Sequence, residues 1–332
     1  MEKKIPLILC ACICLMSLCS CKQNVYPLTT TQFMMDTVIT ITIYDGDSDA
    51  LDGAVKLCQS YERLLSKTVE ESDIARINAS GGTPVEVSAE TAALLNTALD
   101  ISRKSDGAFD PTVFPLVELW NVTGSATVPS ADRIAKALET VDYNNISVNG
   151  TTVTAANGAK LDLGGIAKGY IADRVKEYLK SKGVTGAVIN LGGNTLLLGN
   201  KSGAEFSVGV QKPFGAGGEL SAVIMLEDKT AVTSGVYLRY FESGGKLYHH
   251  IIDTKTGYPT DNELYSVTVI ADSSAIADGL STACLSLGID KGTELARQYG
   301  AELIFITSDG ELLLTDGLEK TESDGSVVIK LK

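Results

Sequence analysis

The chain has 332 residues, of which 44% are hydrophobic and 21% charged, and its formal net charge is −13 from 28 basic and 41 acidic side chains. A protein this acidic lacks the basic face that neutralises a phosphate backbone, which excludes nucleic acid as its main partner. The length is sufficient for a large core, arranged as one domain or two lobes.

The N-terminal residues have the pattern of a bacterial lipoprotein signal peptide. Lys3 and Lys4 give a basic start, residues 5–18 are almost wholly apolar, and a Leu-Cys-Ser sequence precedes Cys21. This apolar run is too short to span a bilayer comfortably. We therefore expect residues 1–20 to be cleaved and Cys21 to carry acyl chains such as palmitate, which would make an extracytoplasmic, membrane-anchored lipoprotein, periplasmic or at the cell surface. An ordinary cleaved signal peptide is the alternative.

After the expected cleavage and lipidation, Cys58 and Cys284 are the remaining cysteines. Both lie in apolar segments with helical spacing, so we expect two buried free thiols and no disulfide framework. No Cys/His spacing in the chain has the form of a zinc site.

We expect residues 21–32 to form a membrane tether and residues 33–332 a single domain in which helices and largely antiparallel strands are interleaved, an α+β fold. Apolar periodicity predicts helices over residues 47–65, 88–104, 130–138, 166–180, 274–287 and 291–299. Alternation predicts strands over residues 33–44, 187–191 and 264–271, a hairpin from 146–153 and 159–163, successive strands through 195–240 and 247–252, and closing strands at 303–306 and 312–314. Residues 70–82 and 106–120 are predicted to be irregular. Two similar glycine turns, near residues 164 and 192, leave a pseudo-repeat of two lobes open.

The stretch Asp-Leu-Gly-Gly-Ile-Ala-Lys-Gly-Tyr at residues 162–170 joins a strand-like segment to a helix. Backbone can approach a ligand closely at Gly164 and Gly165 because neither has a Cβ. The first helical turn offers unpaired N–H groups to an anion, and Asp162 and Lys168 flank it. This pattern indicates a phosphate-bearing ligand held with a metal. The alternative is a tight strand-to-helix turn with a solvated lysine.

The chain contains two histidines, His249 and His250, next to each other in a strand-like segment. Neighbours in a strand point to opposite faces, so one of them should face the interior or a cleft. Asp253 follows and could start a turn or orient a site. The alternative is a surface pair with no role.

Asp278 and Thr282 lie four residues apart on a predicted helix and therefore share a face. A carboxylate and a hydroxyl on one face can both ligate Mg²⁺, a hard cation that prefers oxygen. The alternative is that Asp278 lies near the helix start and that the Thr282 hydroxyl bonds back to a backbone carbonyl.

These clusters, in this order, resemble the ApbE family, the FAD:protein FMN transferases. The resemblance runs from Met35 to about Gly288, and its matching segments are residues 35–37, 107–112, 119–120, 162–170, 190–194, 234–239, 250–257 and 277–282. Several motifs in one order are far more specific than a single glycine turn.

The resemblance implies Mg²⁺-dependent transfer of the FMN moiety of FAD to a Thr or Ser hydroxyl of an exported acceptor protein, through a phosphoester bond, with release of AMP. It implies that His250 is the catalytic residue, and that the metal is held by the Gly165 carbonyl and the side chains of Asp278 and Thr282. The FAD contacts that it implies are Met35, Ala108, Phe109, Asp110, Asp162, Lys168 and Ile252. It also implies an acceptor segment of the form Asp-x-x-Ser/Thr-Gly/Ser-Ala-Thr.

The chain departs from the family at two positions: Asp36 stands where the family has Gly, and Thr68 where an aromatic residue is frequent. Residues 121–127 partly match the acceptor motif, which raises self-labelling at Thr127 as a hypothesis. Two alternative functions stay open at this point. One is a metal-dependent FAD pyrophosphatase that gives FMN and AMP, and the other is a non-catalytic FAD-binding lipoprotein.

Overall fold

The computed structural model describes residues 27–124, 126–201, 203–323 and 325–332. The predicted signal peptide, the lipidation site at Cys21 and most of the predicted tether lie outside these residues. No helix in the described ranges is both long enough and apolar enough to cross a lipid bilayer.

The elements follow one another in a mixed order along the chain. The helices are α1 (Ser48–Leu65), α2 (Asp73–Ala79), α3 (Ala89–Lys104), α4 (Phe114–Trp120), α5 (Ala131–Leu138), α6 (Ala167–Ser181), α7 (Ser274–Leu287) and α8 (Ile289–Gln298). The strands before α6 are β1 (Leu28–Met34), β2 (Thr37–Ile43), β3 (Val85–Glu86), β4 (Ile146–Asn149) and β5 (Thr152–Ala155). Those between α6 and α7 are β6 (Ala187–Leu191), β7 (Asn194–Leu198), β8 (Phe206–Gln211), β9 (Leu220–Leu226), β10 (Thr230–Gly235), β11 (Tyr240–Ser243), β12 (Lys246–His249) and β13 (Leu264–Ala271). The last are β14 (Glu302–Thr307), β15 (Leu312–Leu314), β16 (Leu318–Ser323) and β17 (Ser326–Leu331).

The largest sheet has the strand order β1-β2-β6-β7-β10-β13-β14-β15, and every neighbouring pair in it is antiparallel. A second sheet has the order β16-β17-β9-β8 and contains one parallel pair, β17 with β9. Strands β3, β5 and β4 form a small sheet, and β11 and β12 form a separate hairpin. The predicted α+β class with largely antiparallel strands is confirmed.

The largest sheet is covered on both faces, which follows from the period-two alternation of its central strands. On β7, Leu196 and Leu198 pack into the main core with the helices, whereas Leu197 packs into a second core against β8, β9 and β17. Strand β14 divides in the same way, with Phe305 on the helical side and Ile304 on the other. These strands are therefore buried on both faces.

A third apolar cluster holds the β11–β12 hairpin in place. Trp120 of α4 is fully buried, stacks on Tyr248 with 5.6 Å between ring centroids, and donates from Nε1 to the Gly257 carbonyl at 2.7 Å. Phe241 and Ile252 complete the packing. The packing and the hydrogen bond of Trp120 thus hold the segment after β12, which carries the predicted catalytic histidine.

All helices predicted by apolar periodicity are confirmed, with ends within about two residues. Helix α2 lies in the segment predicted to be irregular. Its seven residues are too few for an apolar stripe, and it depends on Ser72, which caps the Ala75 N–H at 2.9 Å, and on burial of Ile74 and Ile77. Helix α4 lies in the other segment predicted to be irregular, and β16 and β17 were not predicted.

The predicted hairpin between residues 146–153 and 159–163 is wrong. The hairpin is formed by β4 and β5, and the segment at residues 159–163 is not a strand. Its backbone groups bond to side chains and loops instead of a ladder: Leu161 N donates to the Asn78 side chain at 2.6 Å, and Asp162 N donates to the Pro111 carbonyl at 2.7 Å.

The two glycine turns that suggested a pseudo-repeat differ in structure. Gly192 and Gly193 form the turn between β6 and β7, whereas Gly164 and Gly165 lead into α6. The two free cysteines of the described residues, Cys58 and Cys284, are buried, as expected.

The strand predicted over residues 33–44 is a hairpin, and β1 begins at Leu28, inside the predicted tether. Its two turn residues, Met35 and Asp36, both have left-handed backbone, with φ of 54° and 55°. Such a turn twists with the strands but favours glycine at its second position. The hydrogen bond from Met35 N to Glu62 Oε1, 2.6 Å long, holds it.

Replacing Asp36 with Gly should therefore stabilise the protein. Removing the Cβ at φ 55° relieves backbone strain, and we expect the free energy of unfolding to rise by about 0.5–1 kcal/mol after the extra entropy of glycine in the unfolded chain is included. Asp36→Ala is the matched control, because it removes the same charge and keeps the Cβ. Equal stabilisation by both variants in denaturant titrations would show that the charge and not the backbone is responsible.

Candidate active site

A cavity of about 720 Å³ is lined by the residues that were predicted from the sequence to act in catalysis, bind FAD or bind a metal. Those that line it are Met35, Ala108, Phe109, Asp110, Asp162, Gly165, Lys168, His250, Ile252, Asp278 and Thr282. They come from the β1–β2 turn, the loop before α4, the start of α6, the segment after β12 and the middle of α7. The roles predicted for them stay predictions, but the structure brings all of them together.

The glycine turn before α6 is organised by its own side chains. Asp162 Oδ1 accepts from Gly164 N at 2.8 Å, and Lys168 Nζ donates to the Gly164 carbonyl at 2.8 Å. Asp162 Oδ2 forms an ion pair with Lys67. The Lys168 side chain is 25% exposed, so it is held by the turn and only partly solvated.

The first turn of helix α6 packs closely against α7 at Gly169. A Cβ added there would lie 2.1 Å from the Ser274 carbonyl oxygen and 2.8 Å from Asp278 Cβ, so only glycine permits this approach. Gly169 N donates to Asp278 Oδ2 at 2.9 Å. Gly169 N belongs to the first turn of α6, whose N–H groups have no carbonyl partner within the helix, and the Asp278 carboxylate supplies one. Gly165 lies before the helix, so its carbonyl is not part of the hydrogen-bond ladder of α6.

Asp278 is a buried carboxyl group on the same side of α7 as Thr282. Burial raises its pKa, an effect that Lys168, with Nζ 3.9 Å from Asp278 Oδ2, and the Gly169 N–H only partly oppose. A buried carboxylate of this kind carries a desolvation penalty that a bound cation would offset.

The alternative account of Thr282 is not what the structure shows. The hydroxyl that bonds back to the Asp278 carbonyl belongs to Ser281, at 2.8 Å. No hydrogen bond within the described residues uses Thr282 Oγ1. A Cβ added at Gly165 would lie 3.4 Å from this oxygen, so the two residues face each other closely.

Gly165, Asp278 and Thr282 form one corner of the cavity, and their donor chemistry fits Mg²⁺. They offer a backbone carbonyl, a carboxylate and a hydroxyl, all oxygens, of which the carboxylate also accepts from Gly169 N. In the described ranges no group of three or more His, Cys, Asp and Glu could hold a metal. A cation here would therefore take its remaining ligands from substrate or water, which is typical of Mg²⁺.

The two histidines have different environments. His249 is buried, its Nε2 bonds the Thr260 carbonyl at 2.9 Å, and its Nδ1 accepts from Ile251 N at 3.3 Å. Both ring nitrogens are thus used by backbone, and His249 has a structural role.

His250 follows β12 and lines the cavity. Its backbone N donates to the Arg239 carbonyl at 3.2 Å, and its Nδ1 lies 3.2 Å from the same oxygen. A carbonyl can only accept, so Nδ1 carries the proton and Nε2 keeps its lone pair. Burial and the Arg239 guanidinium lower the pKa of His250 from 6.5 to about 4. The imidazole is neutral at physiological pH and can accept a proton.

Two aspartates near the site organise loops. Asp253 Oδ1 accepts from the backbone N–H of Lys255 at 2.7 Å, so this residue starts a turn and does not orient the histidine ring. Asp110 Oδ1 accepts from Thr112 N at 2.7 Å, and its Oδ2 accepts from Tyr143 N at 2.9 Å. Both residues hold the walls of the cavity in place.

The cavity residues that the sequence did not assign to a site include the charged side chains of Lys67, Arg239 and Glu62. Lys67 pairs with Asp162 across a long sequence separation, which no local pattern reveals. Arg239 belongs to the matching segment at residues 234–239. Its position across a predicted hairpin from His250 is the sequence signal that could have identified it as a site residue.

The self-labelling hypothesis places its acceptor away from this cavity. Thr127 lines a different surface depression, with Glu118 and Arg133, and it is not among the residues that line the cavity of His250. Ser125, in the same segment, lies outside the described residues. Thr68 and Asp36, the two departures from the family, do line the cavity.

Comparison with known proteins gives consistent matches. The model of the ApbE family matches residues 35–305. The FAD:protein FMN transferase of Treponema pallidum (strain Nichols) is 33% identical over 336 residues, covering 94% of this chain and 93% of that protein. A protein of the same name from Klebsiella pneumoniae (strain 342) is 38% identical over 288 residues, covering 85% and 90%. The crystal structure of the ApbE protein of Thermotoga maritima MSB8 superimposes with a TM-score of 0.81 at 33% identity, covering 87% and 97%.

Proposed function

The chain belongs to the ApbE family, and we propose that it is an FAD:protein FMN transferase that joins the FMN moiety of FAD to a Ser or Thr hydroxyl of a protein acceptor. The new bond is a phosphoester, and AMP is released. The observation that carries this proposal is the placement of His250 and of the oxygen ligands Asp278 and Thr282 in one cavity.

The reaction balances as a displacement at the FMN phosphorus of the diphosphate. The acceptor hydroxyl oxygen forms the new P–O bond, and the bond to the bridging oxygen breaks, so that AMP leaves with that oxygen. The hydroxyl proton passes to Nε2 of His250, the ring nitrogen that the Arg239 carbonyl leaves unprotonated.

The corner of Gly165, Asp278 and Thr282 would hold Mg²⁺, which when bound neutralises charge that develops on the diphosphate oxygens and on the leaving group. The chain's own contribution is to hold this corner rigid. Gly169 N orients the Asp278 carboxylate at 2.9 Å, and the Lys168 ammonium adds positive charge 3.9 Å from it. FAD is bound, in this proposal, by the lining residues named by the family resemblance.

We also propose that the enzyme is exported and anchored through lipid on Cys21, because the N-terminal pattern is that of a lipoprotein signal. Its acceptor would then be an exported protein on the same side of the membrane. Cys21→Ser should release the protein from the membrane fraction of cells. Retention of that variant at the membrane would argue for another anchor.

The function is tested with the soluble chain from Lys22 onward, FAD, Mg²⁺ and a peptide that contains Asp-x-x-Ser-Gly-Ala-Thr. Intact mass of the peptide and release of AMP are measured together. Addition of one FMN to the peptide, with AMP and without free FMN, is the expected result. AMP with free FMN and an unlabelled peptide would identify a pyrophosphatase, and FAD binding with neither product would identify a flavin carrier.

A further inference from the structure

An aromatic cluster lies beside the cavity at the loop between β8 and β9. The ring of Phe214 contacts those of Tyr237, Tyr240 and Tyr265, with centroids 5.9, 5.5 and 5.1 Å apart and steep interplanar angles. Phe214 is nevertheless 44% exposed, Tyr240 41% and the adjoining Leu238 48%. We call Phe214, Leu238 and Tyr240 the aromatic rim. Exposed apolar side chains grouped in this way indicate an interaction surface.

The backbone of the loop is strained at Phe214. Its backbone φ is 54°, a left-handed conformation that disfavours residues with a Cβ. The loop is closed at its base by the hydrogen bond from Lys212 N to the Glu219 carbonyl, 3.0 Å long. The strained backbone thus holds a ring that stays half-exposed although it packs on three tyrosine rings.

The aromatic rim is continuous with the proposed catalytic site. Leu238 and its neighbour Arg239 line the cavity of His250, and the Arg239 carbonyl bonds both the backbone N and the ring of that histidine. Phe214 and Tyr240 do not line the cavity, but Tyr240 follows Arg239 directly in the chain and its ring packs on that of Phe214. None of the residues predicted to contact FAD lies on the rim.

We propose that the aromatic rim binds the acceptor protein, by covering apolar side chains that flank the reacting Ser or Thr. This inference rests on the proposed function, which requires a protein segment to reach His250 from outside. A segment that inserts its hydroxyl into the cavity on the side of Leu238 and Arg239 would place its neighbouring side chains on Phe214 and Tyr240. Burial of an apolar side chain there supplies affinity for the acceptor and not for FAD.

The test compares two peptides that both contain Asp-x-x-Ser-Gly-Ala-Thr, one flanked on each side by leucines and the other by asparagines, which add no acceptor hydroxyl. The unmodified enzyme should label the leucine-flanked peptide with a kcat/KM at least about tenfold higher. The double variant Phe214→Ser, Tyr240→Ser should lose this preference and keep its affinity for FAD, measured by flavin fluorescence. Leu331→Ser, which changes another exposed apolar residue, on strand β17 and outside the rim, is the matched control and should keep the preference.

The outcomes separate the surface from the function. Equal labelling of both peptides, or a preference that survives in the double variant, would overturn the acceptor role of the rim. Equal losses of FAD affinity and acceptor labelling would assign the rim to FAD, which also overturns it. An unmodified enzyme that hydrolyses FAD and labels neither peptide contradicts the proposed function itself, and the acceptor role with it. Thermal unfolding of each variant shows whether it is folded.

Discussion

His250→Ala should reduce FMN transfer by about 10²- to 10⁴-fold, the range typical of a lost general base. His250 is the histidine whose ring lines the cavity, and its Nδ1 is tied to the Arg239 carbonyl so that Nε2 is available for the acceptor proton. The loss should appear in kcat, because the proton moves only in the transition state, and FAD affinity should change little. Transfer is measured by the mass of the labelled acceptor under single-turnover conditions.

His249→Ala is the matched control. It removes the neighbouring imidazole, whose two nitrogens serve the Thr260 carbonyl and Ile251 N. We expect a lower melting temperature and a nearly normal transfer rate per folded molecule, because those bonds are structural. A His250→Ala enzyme that transfers FMN within about tenfold of the normal rate would refute the base assignment, since the range expected for such a loss starts well above that.

The protonation of His250 gives a second, independent measurement. Burial and the Arg239 guanidinium lower its pKa to about 4, so the neutral base should persist well below pH 6.5. The chain has two histidines, so their imidazole signals in the NMR spectrum of the metal-free protein can be assigned with the His250→Ala variant. Arg239→Gln removes one cause of the shift and should move the midpoint upward. A midpoint near 6.5 in the unmodified protein would contradict this environment.

The helices were predictable because their signals are local, and the residues that line the cavity because their motifs resemble those of a known family. Periodicity over more than about ten residues predicts a helix such as α7, and the spacing of Asp278 and Thr282 places both on one face of it. The order of several motifs, not any one of them, indicated the family. Sequence reasoning of this kind identified residues that the fold gathers into one cavity.

What could not be predicted depends on contacts between distant segments. The Lys67–Asp162 ion pair and the bonds of Asn78 to Leu161 join residues far apart in the chain. Whether the Thr282 hydroxyl bonds back to a helical carbonyl is also decided only in three dimensions. Ser281 donates to the Asp278 carbonyl, and the close approach of the two helices at Gly169 lets a first-turn N–H of α6 donate to the Asp278 carboxylate.

Asp278→Asn should abolish Mg²⁺ binding while leaving the metal-free protein at least as stable. Burial raises the pKa of Asp278. A raised folded-state pKa stabilises the protein only at low pH, and this contribution is lost as the pH rises through that pKa. Burial therefore disfavours the charged form of Asp278, a cost that asparagine does not have, whereas asparagine can still accept from the Gly169 N–H. If the carboxylate were mainly an anchor for the positive end of α6, the variant would instead be less stable.

Thermal unfolding with and without Mg²⁺ distinguishes these cases without any activity measurement. At a concentration about 100 times the dissociation constant, Mg²⁺ should raise the melting temperature of the unmodified protein by roughly 5 °C. The melting temperature of Asp278→Asn should not change when Mg²⁺ is added. Thr282→Val should lose part of the increase, because it removes the free hydroxyl with little change in shape. Ser281→Ala should keep all of it, since Ser281 bonds the Asp278 carbonyl and the Ser234 hydroxyl. An equal response of the Thr282 and Ser281 variants would remove Thr282 from the metal site, and a full response of Asp278→Asn would remove the site itself.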